Sequence, residues 1–287
     1  MINTRVLRRR IRSIQNTAKI TKAMELVATA KMKRAQDQAT AGRPYADKIS
    51  QVIADLAAQH NINGAGHPLL EKRDVKKIAI IHITTDRGLC GGLNANANRL
   101  VGSFILEQKA PVTMVTVGRK GRDFMRRYGR EIEAEFTGLS DRPGILDILP
   151  IARIVIEDYT RGKCDQVYLA YSKFVSTVVQ RPVIEPLLPV TPAEVPRGQS
   201  ADYIYEPNPS YVLNALLPRF VEMEIYHAIL ENIASEQSAR MVAMRNATDN
   251  AKELIDDLTL QMNKARQEQI TTELLDITGG AAALANG

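Results

Sequence analysis

The chain has 287 residues, of which 45% are apolar, 24% charged and 5% aromatic, with two cysteines and no Trp. This composition excludes collagen-like, disulfide-built and wholly disordered chains. No apolar run approaches the roughly 18 residues of a membrane-spanning helix. The stretch from Met1 to Arg12 lacks the apolar centre of a secretory signal. The net charge of +6 is unevenly placed: residues 1–34 hold ten Lys and Arg against the single acid Glu25, so the remainder of the chain is acidic on balance. A segment of that kind calls for an acidic partner, whether protein, nucleic acid or anionic membrane.

Residues 1–58 predict one long helix, started by Asn3 or Thr4. A heptad stripe runs along it through Leu7, Ile11, Ile14, Ala18, Thr21, Glu25, Ala28, Met32, Ala35, Ala39, Gly42, Ala46, Ile49, Ile53 and Leu56, and only Thr21, Glu25 and Gly42 offer no apolar side chain. Gly42-Arg43-Pro44 is expected to interrupt this helix, because proline lacks a backbone donor. A turn-rich joint, Asn61 to Gly66, follows.

Strands and helices then alternate. Ile78–Ile83, Val112–Val117, Glu131–Phe136 and Gln166–Tyr171 read as strands, and Leu93–Gln108, Arg119–Tyr128 and Ile145–Tyr159 as helices. Val175–Val183 is expected to complete a hairpin-like return. This order predicts a mostly parallel sheet with helices packed on it.

A second joint, Pro192 to Pro209, leads to another long helix over 210–285. Its stripe is Leu213, Leu216, Phe220, Met223, His227, Leu230, Ala234, Gln237, Met241, Met244, Thr248, Ala251, Ile255, Leu258, Met262 and Ala265, with His227, Gln237 and Thr248 polar. A 3.5-residue repeat sustained this far specifies a left-handed coiled coil, against the alternative of ordinary bundle helices. The fold class is therefore α/β plus a long antiparallel coiled coil. Its domains are a coil helix over 1–60, an α/β middle domain over 75–190 and a second coil helix over 210–287. Position 56 must face 213, because the middle zone joins those two ends.

At about 1.5 Å per residue the helices are about 85 and 110 Å long, against about 50 Å for a globule of this length. The coil is expected to project beyond the globule. The last twenty or so residues would overhang, ending in the uncharged run Ile277–Gly287. Such a tip suits an apolar hole in another protein better than open water, although a frayed tail is the plainer reading.

Chemistry-bearing motifs are few. Thr84 to Asn94, with Gly88, Gly91 and Gly92, stands where a phosphate loop would follow a strand. It matches neither known glycine spacing, so the glycines are read as serving a tight turn and close packing. Cys90 and Cys164 show no metal spacing and are read as reduced; Cys90, although at a helix start, is read as inert. His60, His67, His82 and His227 form no metal set. Tyr203 to Glu206 is expected to be an exposed aromatic-acidic elbow. No cofactor, metal or catalytic residue is expected. The rivals are a nucleotide-binding enzyme using the Gly88–Gly92 loop and a basic coiled-coil scaffold for nucleic acid. The arginine-rich start also has the composition of a mitochondrial presequence, but the heptad stripe runs straight through it.

Ile11 to Lys33, containing Thr-Lys-Ala-Met-Glu-Leu-Val-Ala, closely resembles the N-terminal helix of the gamma subunit of F-type ATP synthases. Ser235 to Ala251 and Asn263 to Leu284 resemble its C-terminal helix, and Asp86 to Asn94 its middle-domain signature. The resemblance implies a non-catalytic rotor shaft, present in one copy. The coil would stand inside a ring of three alpha and three beta subunits, with its foot and an epsilon subunit on a membrane ring of c subunits. Proton flow would turn it, and it would lie peripherally at the cytoplasmic face of the cell membrane, with no nucleic acid bound. By motif, Met24, Arg266, Gln267, Thr271 and Glu273 are implied beta contacts, and Tyr205 and Glu206 the foot that meets epsilon and the c ring. Arg8, Arg9 and Arg10 are assigned to beta by charge and place alone. The inserted cysteine pair of chloroplast members has no counterpart here.

Overall fold

A computed structural model of the chain describes residues 4–59, 67–191 and 205–285. The expected start at Asn3, the joint at 61–66, Tyr203 and most of the joint from Pro192 lie outside the described residues. The elements in chain order are α1 (Thr4–Gln59), a short 3₁₀ turn (Pro68–Leu70), β1 (Ile78–Ile83), α2 (Leu93–Glu107), β2 (Val112–Val117), α3 (Arg119–Arg127), β3 (Ile132–Phe136), α4 (Ile145–Thr160), β4 (Gln166–Phe174), β5 (Gln180–Leu188) and α5 (Pro209–Ala285).

The five strands form one sheet in the order β3-β2-β1-β4-β5. β1 runs parallel to β2 and β4, β2 runs parallel to β3, and only β5 is antiparallel. β1 is apolar at nearly every position because both of its faces are covered. Ala79, Ile81 and Ile83 enter the larger core with α4 and parts of α1 and α5. Ile78 and Ile80 enter the smaller core with Val101 and Ile105 of α2, Met114 of β2 and Met125. β5 carries Pro182 and Pro186, which a sheet tolerates at its edge because no ladder partner needs their missing donors.

The expected return strand is displaced. Val175–Val183 has high strand propensity, yet β4 runs on to Phe174 and residues 175–179 form the turn. Ser176 Oγ accepts from Val179 N at 3.1 Å and Val175 N donates to Val179 O at 3.2 Å. The local serine bonds override the valines' propensity.

The expected interruption of the first helix is absent: α1 is continuous, with Pro44 inside it. Proline removes one donor, and here both Pro44 and Thr40, whose carbonyl loses that partner, lie on an exposed turn where water can serve.

The chain divides into two compact units, residues 28–240 and residues 1–27 with 241–287. The first holds the sheet, its helices, and the adjoining lengths of α1 and α5. In the second, Leu7, Ile11 and Leu258 are buried together, flanked by Ile14, Ile255, Met262 and Ala265. That is the seam of an antiparallel helix pair. In both units, every described stripe residue is buried or half-buried.

Candidate functional site: the helix pair and its junction with the sheet

Four of the positions that break the stripes meet in two pairs across the seam. Thr21 and Thr248 hydroxyls are hydrogen-bonded at 2.7 Å. Gly42 stands opposite His227, where an added Cβ would come 3.4 Å from the imidazole Nε2. Both pairs keep the register in which 56 faces 213. Gly42 therefore gives room to an imidazole rather than breaking the helix. Glu25, only 4% exposed, accepts from Lys22 Nζ at 3.0 Å and from Arg245 Nε at 3.1 Å. The hydrogen bond from Lys22, then that from Arg245, holds its carboxyl below the usual carboxylate range despite its burial.

α5 has a second buried face that the heptad count did not reveal. Leu217, Val221, Ile225 and Ile229 recur at every fourth residue and enter the larger core. Next to them, α5 serves as a surrogate strand. β4 pairs with β1 only as far as Ala170, so its last residues lack a neighbour on that side. Asn232 Oδ1 accepts from Ser172 N at 3.3 Å, Glu231 Oε2 accepts from Phe174 N at 3.2 Å, and Ser235 Oγ donates to Ser172 O at 2.8 Å. Ser238 Oγ donates to Thr177 O at 2.6 Å. Buried backbone groups demand partners, and α5 supplies them.

At the C-terminal ends of β1 and β2 lies a cavity of about 470 Å³, lined among others by Asp86, Arg119, Asp141, Asn232 and Glu236. This is the crevice where α/β proteins often bind nucleotides. Here the chain fills the anion position itself. Asp86 accepts from Arg119 N, at the start of α3, at 3.0 Å and from Gly138 N at 2.7 Å. Asp141 and Glu236 add carboxyl groups to a lining that also holds Arg87 and Arg119, and burial raises the Glu236 pKa. The close-packing expectation for the glycine loop is corrected. Gly88 and Gly91 have nothing within 4 Å of an added Cβ, and Gly91 serves the turn, with φ 58°. Close packing belongs to Gly118 and Gly121. A Cβ on Gly118 would lie 2.3 Å from Thr84 O, and one on Gly121 2.8 Å from His82 and Thr84.

Cys90 and Cys164 are buried and free, and burial raises both thiols, Cys164 to about 12. Neither is poised as a nucleophile. His82 is fully buried, and its pKa falls to about 4 through burial. Its Nε2 bonds Asn98 Oδ1 at 2.8 Å, so this neutral ring is a donor there. Among the described residues, no cluster of three or more His, Cys, Asp or Glu is arranged to hold a metal ion.

The sequence-derived contact residues fall into two groups. Arg8, Arg9 and Arg10 are exposed just after Leu7, and Arg266 and Gln267 are exposed just after Ala265. Leu7 and Ala265 belong to one apolar cluster, so these sets share one end of that unit. Thr271 and Glu273 are exposed further along α5, and Met24 is half-buried. Tyr205 and Glu206 lie in the other unit. The elbow is only partly exposed as expected: Glu206 is exposed, but Tyr205 is half-buried against the larger core, where its ring finds more contact than in solvent. The heptad reading also passed over Arg245 and Asp86. Arg245 stands beside the stripe residue Met244, and nothing local points to Glu25 of the facing helix as its partner; Asp86 lies within the Thr84–Asn94 loop, and nothing local shows that it accepts from Arg119 and Gly138.

Terminal helices paired antiparallel around an α/β body, with polar pins in the seam and a sheet-end crevice closed by the chain itself, define a stalk-type structural protein. The chain matches the family described as ATP synthase over residues 3–284. It is 65% identical over 285 residues to the ATP synthase gamma chain of Dehalococcoides mccartyi (strain ATCC BAA-2266), covering 99% of this chain and 100% of that one. It is 51% identical over 290 residues to the ATP synthase gamma chain of Chloroflexus aurantiacus (strain ATCC 29366), covering 99% of each. Its fold is similar to the central stalk of the Tetrahymena thermophila mitochondrial ATP synthase, with a TM-score of 0.62 and 26% identity over 79% of this chain and 99% of that one. A Euglena gracilis mitochondrial ATP synthase chain shares the fold at a TM-score of 0.67 and 19% identity, over 98% of this chain and 94% of that one. The chain belongs to the ATP synthase gamma chain family. Its role is that of the enzyme's central shaft, a subunit that is not itself catalytic.

Proposed function

We propose that this chain couples rotation of a membrane ring of c subunits to the conformational cycle of catalytic beta subunits, standing in one copy inside an alpha3beta3 hexamer with an epsilon subunit at its foot. The observation that carries this reading is the end of α5. Beyond Ala265, its described residues are nearly all exposed, and Ile270, Leu274, Leu275 and Ile277 are 49–67% exposed. A helix end with that much exposed apolar surface calls for a sleeve. The basic start of α1 sits in the same unit and suits an acidic rim on that sleeve.

Within this reading, Arg8, Arg9, Arg10, Met24, Arg266, Gln267, Thr271 and Glu273 touch beta, and Tyr205 and Glu206 belong to the foot facing epsilon and the c ring. Three domains, 1–60, 75–190 and 210–287, divide the work into two coil helices and a body. The shaft is peripheral, at the cytoplasmic face of the cell membrane; none of the described helices is long and apolar enough to cross a membrane. Contacts that turn under load should be mostly apolar and small, since fixed ion pairs add barriers to rotation. The test is purification of the tagged chain from its own cells: the reading expects two larger ATPase subunits in threefold excess. Recovery of the chain with nucleic acid and no such subunits would refute it.

A further inference from the structure

The loop from β3 to α4, residues 137–144, is fastened at both ends. Gly138 N donates to Asp86 Oδ2 at 2.7 Å, and Gly144 N donates to Asp147 Oδ2 at 2.8 Å in the first turn of α4. Between these anchors the loop reaches α1 and α5. Lys31 of α1 pairs with Asp141. Gln38 of α1 donates to Pro143 O at 3.3 Å and to the Tyr226 hydroxyl of α5 at 2.6 Å, and that hydroxyl donates to Pro143 O at 3.4 Å.

We propose that this loop is a strap that fastens α1 to the sheet end, with the Lys31–Asp141 ion pair as its salt-sensitive latch. The two helices are held by different chemistry. α5 is bound to β4 by the largely buried bonds of Asn232, Ser235 and Glu231 and to the following turn by Ser238, which salt screens little. At this level α1 is reached through the strap, and the latch side chains are 31% and 53% exposed, so the pair is weak and screened. Gln38 and Tyr226 form the neutral end, which keeps the strap in place when the latch opens. Twist between the body and α1 at this level then passes in part through residues 138–143, the rest through the core packing of Ile49, Ile53 and Leu56. This consequence rests on the shaft reading; the strap itself does not.

The test uses the assembled enzyme with three forms of this chain: Asp141→Asn, Lys31→Gln, and the swap Lys31→Asp with Asp141→Lys. Amide exchange over residues 138–144 is read first. In the unaltered chain it should rise about three- to fivefold between low and high salt, as expected for loss of one exposed pair. In both single variants it should be raised already and indifferent to salt, and the swap should restore the original behaviour. The second reading is ATP synthesis driven by an ion gradient, relative to ATP hydrolysis by the same preparation. That ratio should fall by a similar factor in the single variants and recover in the swap. Unchanged exchange in Asp141→Asn overturns the latch, whatever the shaft does. Raised exchange with an unchanged ratio overturns the strap as a carrier of load. Failure of the shaft reading would look different, because the unaltered chain would then support no gradient-driven synthesis.

Discussion

Glu25 is a buried carboxyl whose two cationic partners come from different helices, Lys22 from its own and Arg245 from the facing one. Because these bonds lower its pKa below the ordinary 4.5, the unfolded chain takes up its proton more readily than the folded chain. The stability it contributes is therefore complete above about pH 4.5 and is lost as pH falls through the lowered value. Glu25→Gln should cost about 1 kcal/mol at pH 7, a modest figure because Arg245 is half in solvent, and should flatten the acid limb of a melting-temperature profile. A variant profile parallel to the original between pH 6 and 3 would assign the acid loss to other groups. The glycines allow a second comparison. Gly118→Ala places a Cβ 2.3 Å from a backbone oxygen at φ 95° and should abolish soluble expression. Gly91→Ala meets nothing and should cost only the about 1–2 kcal/mol of its left-handed backbone, measured by denaturant unfolding. From sequence the two look alike, because the contact that separates them comes from Thr84, 34 positions upstream.

At the scale of elements, the heptad count made both long helices legible before any coordinates, and the middle domain that joins their ends made their antiparallel sense and register legible. Five of the six residues that broke the stripe, Thr21, Glu25, Gly42, His227 and Thr248, prove to be the most informative. Thr21 meets Thr248, Gly42 meets His227, and Glu25 meets Arg245. Polar pins of this kind fix register at some cost in apolar burial. A double-mutant cycle of Thr21→Val and Thr248→Val should give a coupling of no more than about 1 kcal/mol, because after each single change the remaining hydroxyl still donates within its own helix, Thr21 to Ala18 O at 3.1 Å or Thr248 to Met244 O at 2.8 Å. Additive effects would show that the 2.7 Å bond contributes nothing beyond its neighbours. The strands of the α/β body were also legible, from buried runs such as Ile78–Ile83. The hairpin was legible but its bounds were not, because Val175, Val178 and Val179 carry strand propensity while Ser176 sets the turn. The second face of α5 was hidden by the stronger heptad signal laid over it. The strap was hidden altogether, since Lys31, Asp86 and Asp141 are far apart in sequence and each is an ordinary surface residue by type.

At the scale of the whole molecule, the end of α5 separates folding from function. Past Ala265 its residues are nearly all exposed, so a chain ended there should melt within about 2 °C of the full chain by calorimetry. The same truncation should weaken retention in the assembled enzyme, read as the share of the chain released on gel filtration. A large fall in melting temperature would mean that the tip contributes to the fold, against the exposure of its described residues. The contact residues proposed for that region rest on family resemblance alone, because exposed side chains acquire meaning from a partner that the chain's own packing does not include.

The most direct measurement is rotation itself. With the ring of larger subunits immobilised and a probe fixed to an exposed body position such as Val178, which is 75% exposed, ATP should turn the probe continuously in one direction, in step with hydrolysis. A probe that stays fixed, or that wanders without direction while ATP is hydrolysed at full rate, would contradict the account.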